Sequence, residues 1–318
     1  MERPHGRPPL APLASTVFLL LLGMSYASSA DVVYAITIWP AWIWLGVGWT
    51  TAGFAWRSSK VGGKCLLAGW LLFVVLFADE PWSIARSLWV GEVHASEAVK
   101  VVSLNCAGGD PLAMIEALAR SPELVLLQES PPQKELLAVL NDGWATVLGP
   151  DAAILALGRL EPMTLPEWTD NFVAARWWRQ GAKSPVYVVS LRLEPPVLRF
   201  DYWNPACWRA YAEGKRRRRT ELTEVLAYVE TLPKDAAIIL GGDFNTPPDR
   251  RIQAGLMERF IDVFRASGAG WGATGINDYP LVRIDQIWVA GGSPVIARAI
   301  KTKYSDHRRV EAQVTLSP

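Results

Sequence analysis

The sequence is poor in the residues that build soft-metal sites and covalent cross-links. It has three cysteines and three histidines. No CxxC pair and no Cys/His cluster occurs, which excludes a zinc module, and the cysteines are too few for a disulfide framework. Cys65 sits in an apolar run; Cys106 and Cys207 would pair only in an extracytoplasmic domain, and two separate small buried hydrophobes is the better reading of them. Charge of either sign is not in excess. Lys and Arg number 32, Asp and Glu 31, for a net charge of +1. Any case for nucleic acid binding must therefore rest on a local patch. Neither GxGxxG nor GxxxxGK[ST] is present, which argues against a dinucleotide fold and a P-loop. No repeat of fixed period and no low-complexity tract occurs.

What is abundant is apolar sequence, and it is concentrated before residue 80. "PLASTVFLLLLGMSYASSA" (12–30), "VVYAITIWPAWIWLGVGWTTAGFAW" (32–56) and "CLLAGWLLFVVLFA" (65–78) follow one another. At about 1.5 Å per residue the second is long enough for a hydrocarbon layer about 30 Å thick. Tryptophans near the ends of these runs fit an aromatic belt. The expectation is a membrane region over 1–82 with two or three transmembrane helices, a linker over 83–97 and a soluble domain over 98–318. Arg57, Lys60 and Lys64 fill one loop, while Asp31, Asp79 and Glu80 mark the other side. The positive-inside bias then puts the soluble domain on the non-cytoplasmic side of a cell membrane. The first run is either a cleaved signal peptide, with "SSA" as its small-residue site, or a retained helix. Both leave the domain on that side.

From residue 98 the pattern changes to short apolar runs at 99–105, 123–129, 152–157, 186–193, 236–245, 283–290 and 310–317. Each has strand length and is bounded by turn residues. "PLAMIEALAR" (111–120) and "TELTEVLAYVETL" carry helical stripes, the latter at Leu222, Val225, Leu226 and Val229. Many strands with few helices predict two sheets packed face to face with helices outside. The segment 159–220, rich in Trp, Pro and Arg, reads as long irregular loops.

Several of these strands carry, at or near one end, a polar residue that core packing does not need. They are Asn105, Glu129, Asp243 and Asn245 in "GGDFN", Asp285 in "RIDQIW", and Asp306–His307 in "YSDH". Alternation along a strand would put Asp243 and Asn245 on one face and Phe244 on the other. The two glycines before them leave room for close approach. Singly, each residue could serve a turn. Together they form an oxygen-rich set with one imidazole, suited to Mg²⁺ or Mn²⁺ and to hydrolysis at phosphorus. Of the three histidines, only His307 lies in the domain; His5 is in the N-terminal tail and His94 in the linker.

In this order, Asn in the first strand, "QE" ending the second, "GDFN", "RID" and "SDH" resemble the endonuclease/exonuclease/phosphatase superfamily, the deoxyribonuclease-I-like fold. "WGAT" (271–274) resembles its loop before the Asp strand. The layout, with apolar helices first, is similar to a membrane-anchored branch of that superfamily. The resemblance implies an α+β fold, a four-layer α/β/β/α sandwich of two mixed sheets. It implies that Glu129 binds the divalent metal with Asn105 nearby and Asp306 helping. Asp243 would then orient the attacking water, and Asn245 would donate to a phosphate oxygen. His307 would contact the phosphate, with Asp285 supporting the imidazole. Two departures stand out. Many members have His where this chain has Arg192, and a guanidinium holds phosphate but cannot donate a proton near neutral pH. The family's Pro shortly after "SDH" is replaced by Arg308 and Arg309.

"KRRRR" (215–219) is the strongest local charge feature. Read as the start of a helix it is opposed by the macrodipole, and Arg218 and Arg219 fall on the side of Leu222. That favours anion binding by Arg192, Arg218 and Arg219, to a nucleic acid backbone or to lipid headgroups. Trp177, Trp178, Trp203 and Trp208 stack on bases, insert at a membrane, or cover a sheet edge. The expected activity is a membrane-anchored, metal-dependent phosphoester hydrolase. Its substrate would be nucleic acid or a phospholipid or inositol phosphate, and the lipid bilayer its one inferable partner. The competing expectation is an anion-binding module on the same fold that has lost turnover, which Arg192 favours.

Overall fold

Short β-favouring runs separated by Gly, Pro and Asp turns collapse, in the computed structural model, into strands that share two sheets. The structure describes residues 10–89, 97–167 and 169–317. The strands are β1 (Val99–Asn105), β2 (Leu124–Gln128), β3 (Trp144–Leu148), β4 (Ala152–Leu157), β5 (Arg159–Pro162) and β6 (Phe172–Trp178). They continue with β7 (Val186–Arg192), β8 (Ile238–Asp243), β9 (Ile261–Asp262), β10 (Asp285–Ala290), β11 (Gly292–Ile300) and β12 (Arg309–Leu316). One sheet has the order β11-β12-β1-β2-β4-β3 and the other β5-β6-β7-β8-β10-β9. Both are mixed, with β1–β2 and β7–β8 parallel and the remaining pairs antiparallel.

The inner faces meet in one apolar layer that includes Val101, Leu126, Ile154, Val188, Ile239 and Ile287. The helices preceding the sandwich are α1 (Leu10–Ser28), α2 (Tyr34–Thr37), α3 (Leu45–Ser58), α4 (Lys60–Phe77) and α5 (Glu80–Ser87). Within the sandwich run α6 (Pro111–Leu118), α7 (Gln133–Val139), α8 (Pro205–Val229), α9 (Ala254–Arg259) and α10 (Val263–Ser267). Met114 and Leu136 from α6 and α7 pack on the outer face of the first sheet. Leu222, Val225 and Leu256 from α8 and α9 cover the second. The result is the expected four-layer α/β/β/α sandwich.

Three expectations from the sequence need correction. Residues 159–220 are not long loops: they hold β5, β6, β7 and the first half of α8. The helix read from residue 220 begins at Pro205, because Asn204 caps it by accepting from Ala206 N and Pro205 fits the first turn. The "KRRRR" run is therefore mid-helix, and the macrodipole does not act on it. The 32–56 run is not one straight span. Pro40 lacks an N–H and interrupts it, and its two helical parts meet at 70°. By length and composition, Lys60–Phe77 is the one unbent helix among the described residues that could cross a membrane.

Where the 32–56 run breaks, it docks on α8. Tyr34, Ala35 and Ile38 are buried against Cys207 and Tyr211. Lys215, fully buried, donates to Ser29 O at 2.7 Å and to Asp249 Oδ2 at 2.6 Å. Arg218 lies over the Tyr34 ring and reaches Glu194 O, while Arg219 pairs with Asp31 at 3.1 Å. Arg218 and Arg219 do bind electron-rich groups, but groups of this chain. Their expected role in binding substrate is thereby replaced. The first part of the expected 83–97 linker also docks: Ser83 O accepts from Gly270 N, and Arg86 Nε donates to Gly268 O. Residues 90–96, with His94, lie outside the described residues, as does His5. Cys106 and Cys207 are separate, buried and unpaired.

Candidate active site

The ends of the central strands of both sheets open on one edge of the sandwich, and the polar residues converge there. Pairing register alone sets Arg192, Asp243 and Asp285 side by side on β7, β8 and β10. Two glycines make that possible. Gly242 has φ +144°, and a Cβ there would lie 1.9 Å from Leu191 O. A Cβ on Gly241 would meet Leu126 and Gln286 O, both at 2.9 Å. Close strand approach is what the glycines supply.

Asn105 joins the two sheets. Its Nδ2 donates to Glu129 Oε1 and to Asp243 Oδ2, each at 3.1 Å. Ala107 N donates to its Oδ1, and Ser305 Oγ donates to its carbonyl. Glu129 follows β2 in the left-handed region at φ 45°, and its Oε2 accepts from Gly108 N at 2.5 Å. Such a backbone costs about 1–3 kcal/mol and persists where surrounding contacts over-determine it. Burial would raise the Glu129 pKa, but the Asn105 amide, the Arg192 guanidinium and the Gly108 N–H outweigh it and lower it.

Asp285 and His307 form the second half. His307 Nδ1 lies 2.9 Å from Asp285 Oδ2, and Asp285 N donates to Thr274 Oγ1 from the "WGAT" loop. Burial alone would depress the imidazole. The Asp285 carboxylate, by charge and by hydrogen bond, instead lifts it to about 10, so the imidazolium persists through neutral pH. Burial, then the nearby Asp285 charge, raises the Asp243 pKa above the usual carboxylate range.

Asn245 arrives by a route the strand pattern did not give. β8 ends at Asp243, and Asn245 has φ 50°. Asp243 Oδ1 accepts from Asn245 N, so a turn rather than alternation brings the two together. The Asn245 amide donates to Leu193 O at 2.8 Å and to Asp243 Oδ2 at 3.1 Å. Asp306, expected beside Glu129, is exposed and borders a surface depression with Asp110 and Asn277. Ser305 Oγ donates to Asn105 O and His307 bonds Asp285, while Asp306, in the bend between them, faces outward. Arg192 is at the site, but both its Nη groups are engaged, with Glu129 Oε1 at 2.6 Å and Asp151 Oδ2 at 2.7 Å. Asp151, Thr274, Ser305 and Gln128, whose amide donates to Ser190 Oγ, complete the frame. Thr274, Gln128 and Ser305 lie in the motifs "WGAT", "QE" and "SDH", whereas Asp151 carried no signal in the sequence.

Residues 102–307 match the profile of the Endonuclease/Exonuclease/phosphatase family. The chain belongs to that family. Solved structures carry the same fold at low identity. An endonuclease/exonuclease/phosphatase from Bacteroides vulgatus is 12% identical, with a TM-score of 0.55 over 69% of this chain and 99% of that one. D. rerio TDP2 complexed with a single-strand DNA product is 18% identical, with a TM-score of 0.51 over 68% and 98%. The human Nocturnin catalytic domain with a bound sulfate anion is 16% identical, with a TM-score of 0.50 over 71% and 97%. A comparison with curated protein sequences returns no match.

Family members are generally hydrolases of phosphoester bonds and typically use divalent metals. The residues here fit such an ion. The donors are carboxylate and amide oxygens, which suit hard cations. Asp285 Oδ1 is buried with no protein partner, and ligand atoms of Asp243, Asp285 and His307 lie within 4.8 Å of one another. Within that trio Asp285 holds His307 Nδ1, while Asp243 accepts from Asn105 and Asn245 instead. Glu129, at its border, offers a further carboxylate for a metal cradle; the Asn105 amide nitrogen faces it as a donor, and the Asn105 amide oxygen accepts from Ala107 N.

Proposed function

We propose that this protein is a membrane-anchored, divalent-metal-dependent phosphoester hydrolase acting outside the cytoplasm. The observation that carries the reading is the Asn105 amide bridging Glu129 and Asp243 beside the Asp285–His307 pair. Glu129, oriented by the Asn105 amide, would hold Mg²⁺ or Mn²⁺, which supplies polarisation of a phosphoryl oxygen and charge neutralisation. Asp243, its carboxylate made more basic by burial and Asp285, orients the attacking water and draws its proton. The His307 imidazolium, kept charged by Asp285, donates to a phosphate oxygen as negative charge builds there. Asn245 holds Asp243 in place through its backbone N–H and amide. The D. rerio TDP2 complex with a DNA product and the sulfate bound to human Nocturnin support an anionic phosphoester as the ligand class. Basic residues at Arg57, Lys60 and Lys64, remote from the sandwich in sequence, support the outward orientation.

The test is turnover of a generic phosphodiester with Mg²⁺ by the reconstituted chain, against Asp243→Ala and His307→Ala. Each should lower the rate by about a hundredfold or more. Activity retained in both variants refutes the assignment. A second reading, an anion-binding module without turnover, is favoured by the Arg192–Glu129 pair, which occupies the metal cradle. Binding of a phosphoester with no EDTA-sensitive turnover would select it.

A further inference from the structure

Two loops on the active-site edge hold large apolar side chains out of the fold, the second beside the exposed acid Asp278. The first, between β7 and α8, exposes Val197, Leu198, Phe200 and Trp203, the last at 85%. Its polar groups are consumed internally. Arg199 pairs with Asp201, and Tyr211 OH donates to Arg199 O while accepting from Arg199 N. The second loop, between Thr274 and Asp285, exposes Ile276 and Tyr279, the latter at 79%. It is pinned by Asn277, which exchanges hydrogen bonds with the Thr302 backbone through its amide. Both loops are fixed in place, so their apolar side chains are held outward.

The same two loops touch the N-terminal helical segment. Trp39 meets Phe200 with ring centroids 6.1 Å apart and donates from Nε1 to Tyr202 OH at 3.0 Å. Trp42 packs edge-on at 5.2 Å against Trp271, which precedes the second loop and donates to its Pro280 O. Asp79, directly after α4 and Ala78, pairs with Arg283 at 2.7 Å, two residues before Asp285. The helix α4 itself exposes Leu71, Leu72 and Leu76. The apolar rim of the catalytic edge is thus continuous with the outer surface of the helices.

We infer that this rim rests in the outer leaflet of the bilayer crossed by the N-terminal helices. The site's substrate is then a phosphoester in the headgroup of a membrane lipid. The inference rests on the hydrolase and membrane reading proposed above and narrows its substrate. Trp and Tyr side chains favour the bilayer interface, where ring and polar tip meet different solvents. Nucleic acid recognition would instead interleave aromatics with free cations, but the cation of the first loop, Arg199, is neutralised by Asp201. The bilayer is the one apolar medium that the helices place beside the rim.

The test uses the full chain in phospholipid nanodiscs with exposed Cys65 replaced, Cys106 and Cys207 being buried. Nitroxides are attached in the variants Trp203→Cys and Tyr279→Cys, with Leu76→Cys on α4 and Lys183→Cys at the opposite edge as references. Rim labels should resemble Leu76→Cys, relaxed by oxygen and shielded from a water-soluble nickel chelate. Labels as open to nickel as Lys183→Cys overturn the membrane contact. Turnover of the nanodisc phospholipid is then compared with that of a soluble phosphodiester and of single-stranded DNA. The double variant Phe200→Ser/Trp203→Ser should lower the lipid-to-soluble turnover ratio about tenfold, the scale of losing one large apolar anchor. DNA turnover exceeding lipid turnover, with the ratio unmoved by the rim variants, overturns the substrate assignment. Failure of the unmodified chain on the soluble ester as well removes the hydrolase reading and the substrate with it. The nitroxide result still decides the contact.

Discussion

Arg192 is the residue whose replacement discriminates most sharply between an active and an arrested site. Its Nη2 sits 2.6 Å from Glu129 Oε1 and its Nη1 sits 2.7 Å from Asp151 Oδ2. A divalent cation at Glu129 must share that carboxylate with the guanidinium or displace it. A +2 ion and a guanidinium about 5 Å apart repel by about 7 kcal/mol at an effective dielectric near 20 and by about 1.7 kcal/mol at the dielectric of water. The side chains of Arg192 and Glu129 are 22% and 24% exposed, so water screens part of this repulsion. Even the fully screened limit exceeds about 1.4 kcal/mol, the equivalent of a tenfold factor in affinity. Arg192→His and Arg192→Ala should therefore bind Mn²⁺ about tenfold more tightly than the unmodified chain. Asn105 and Gly108 N would still hold Glu129 in place. Asp151→Asn should do the opposite, because it releases one arm of the guanidinium and leaves Glu129 as its remaining anionic partner. Calorimetric titration with Mn²⁺ of the four folded proteins measures this directly. Unchanged or weaker affinity in both Arg192 variants refutes the competition.

Two further expectations follow from buried charges. Lys215→Met removes the ammonium that joins Asp249 to Ser29 O, leaving a buried carboxylate with only backbone N–H partners. The cost should be about 3 kcal/mol or more, read as a lowered unfolding midpoint in detergent, and an unmoved midpoint would count against the docking. For His307, the folded pKa is raised from 6.5 to about 10. The stability it contributes is fully present below the unfolded value and is lost as pH rises through the folded one. With EDTA present, the stability gap between the unmodified chain and His307→Gln should therefore be widest near pH 6 and shrink toward pH 10. A gap that widens with pH would contradict the Asp285–His307 pairing as described.

The sandwich was legible where strands obey simple rules. β1 and β4 match their apolar runs residue for residue, because each is flanked by turn residues and buried on both faces. β6 was hidden because "FVAARWW" places Arg176 and paired tryptophans in a segment whose composition mimics a loop. Trp177 is in fact fully buried, with Nε1 donating to Leu157 O. β11 was hidden by Pro294 and the bulge between it and Ile296, which breaks the alternation. At the site, residue type was readable and geometry was not. Asp243 and Asn245 were chosen for a shared strand face, yet they meet through a left-handed turn.

The cationic run shows why pairing escapes a reading of the sequence. Five adjacent basic residues look like a surface offered to an external anion, and two of them, Lys215 and Arg218, are almost wholly buried. Their partners are Ser29, Asp249, Tyr34 and Glu194, residues distant in sequence that no local pattern links to α8. The consequence reaches the catalytic edge. Tyr34 OH also lies 2.6 Å from Thr246 Oγ1, and Thr246 directly follows Asn245. The start of the second apolar run therefore braces the turn that holds Asp243 and Asn245. The basic run serves to seat that brace, which is a structural use of charge that binds the N-terminal helices to the geometry of the site.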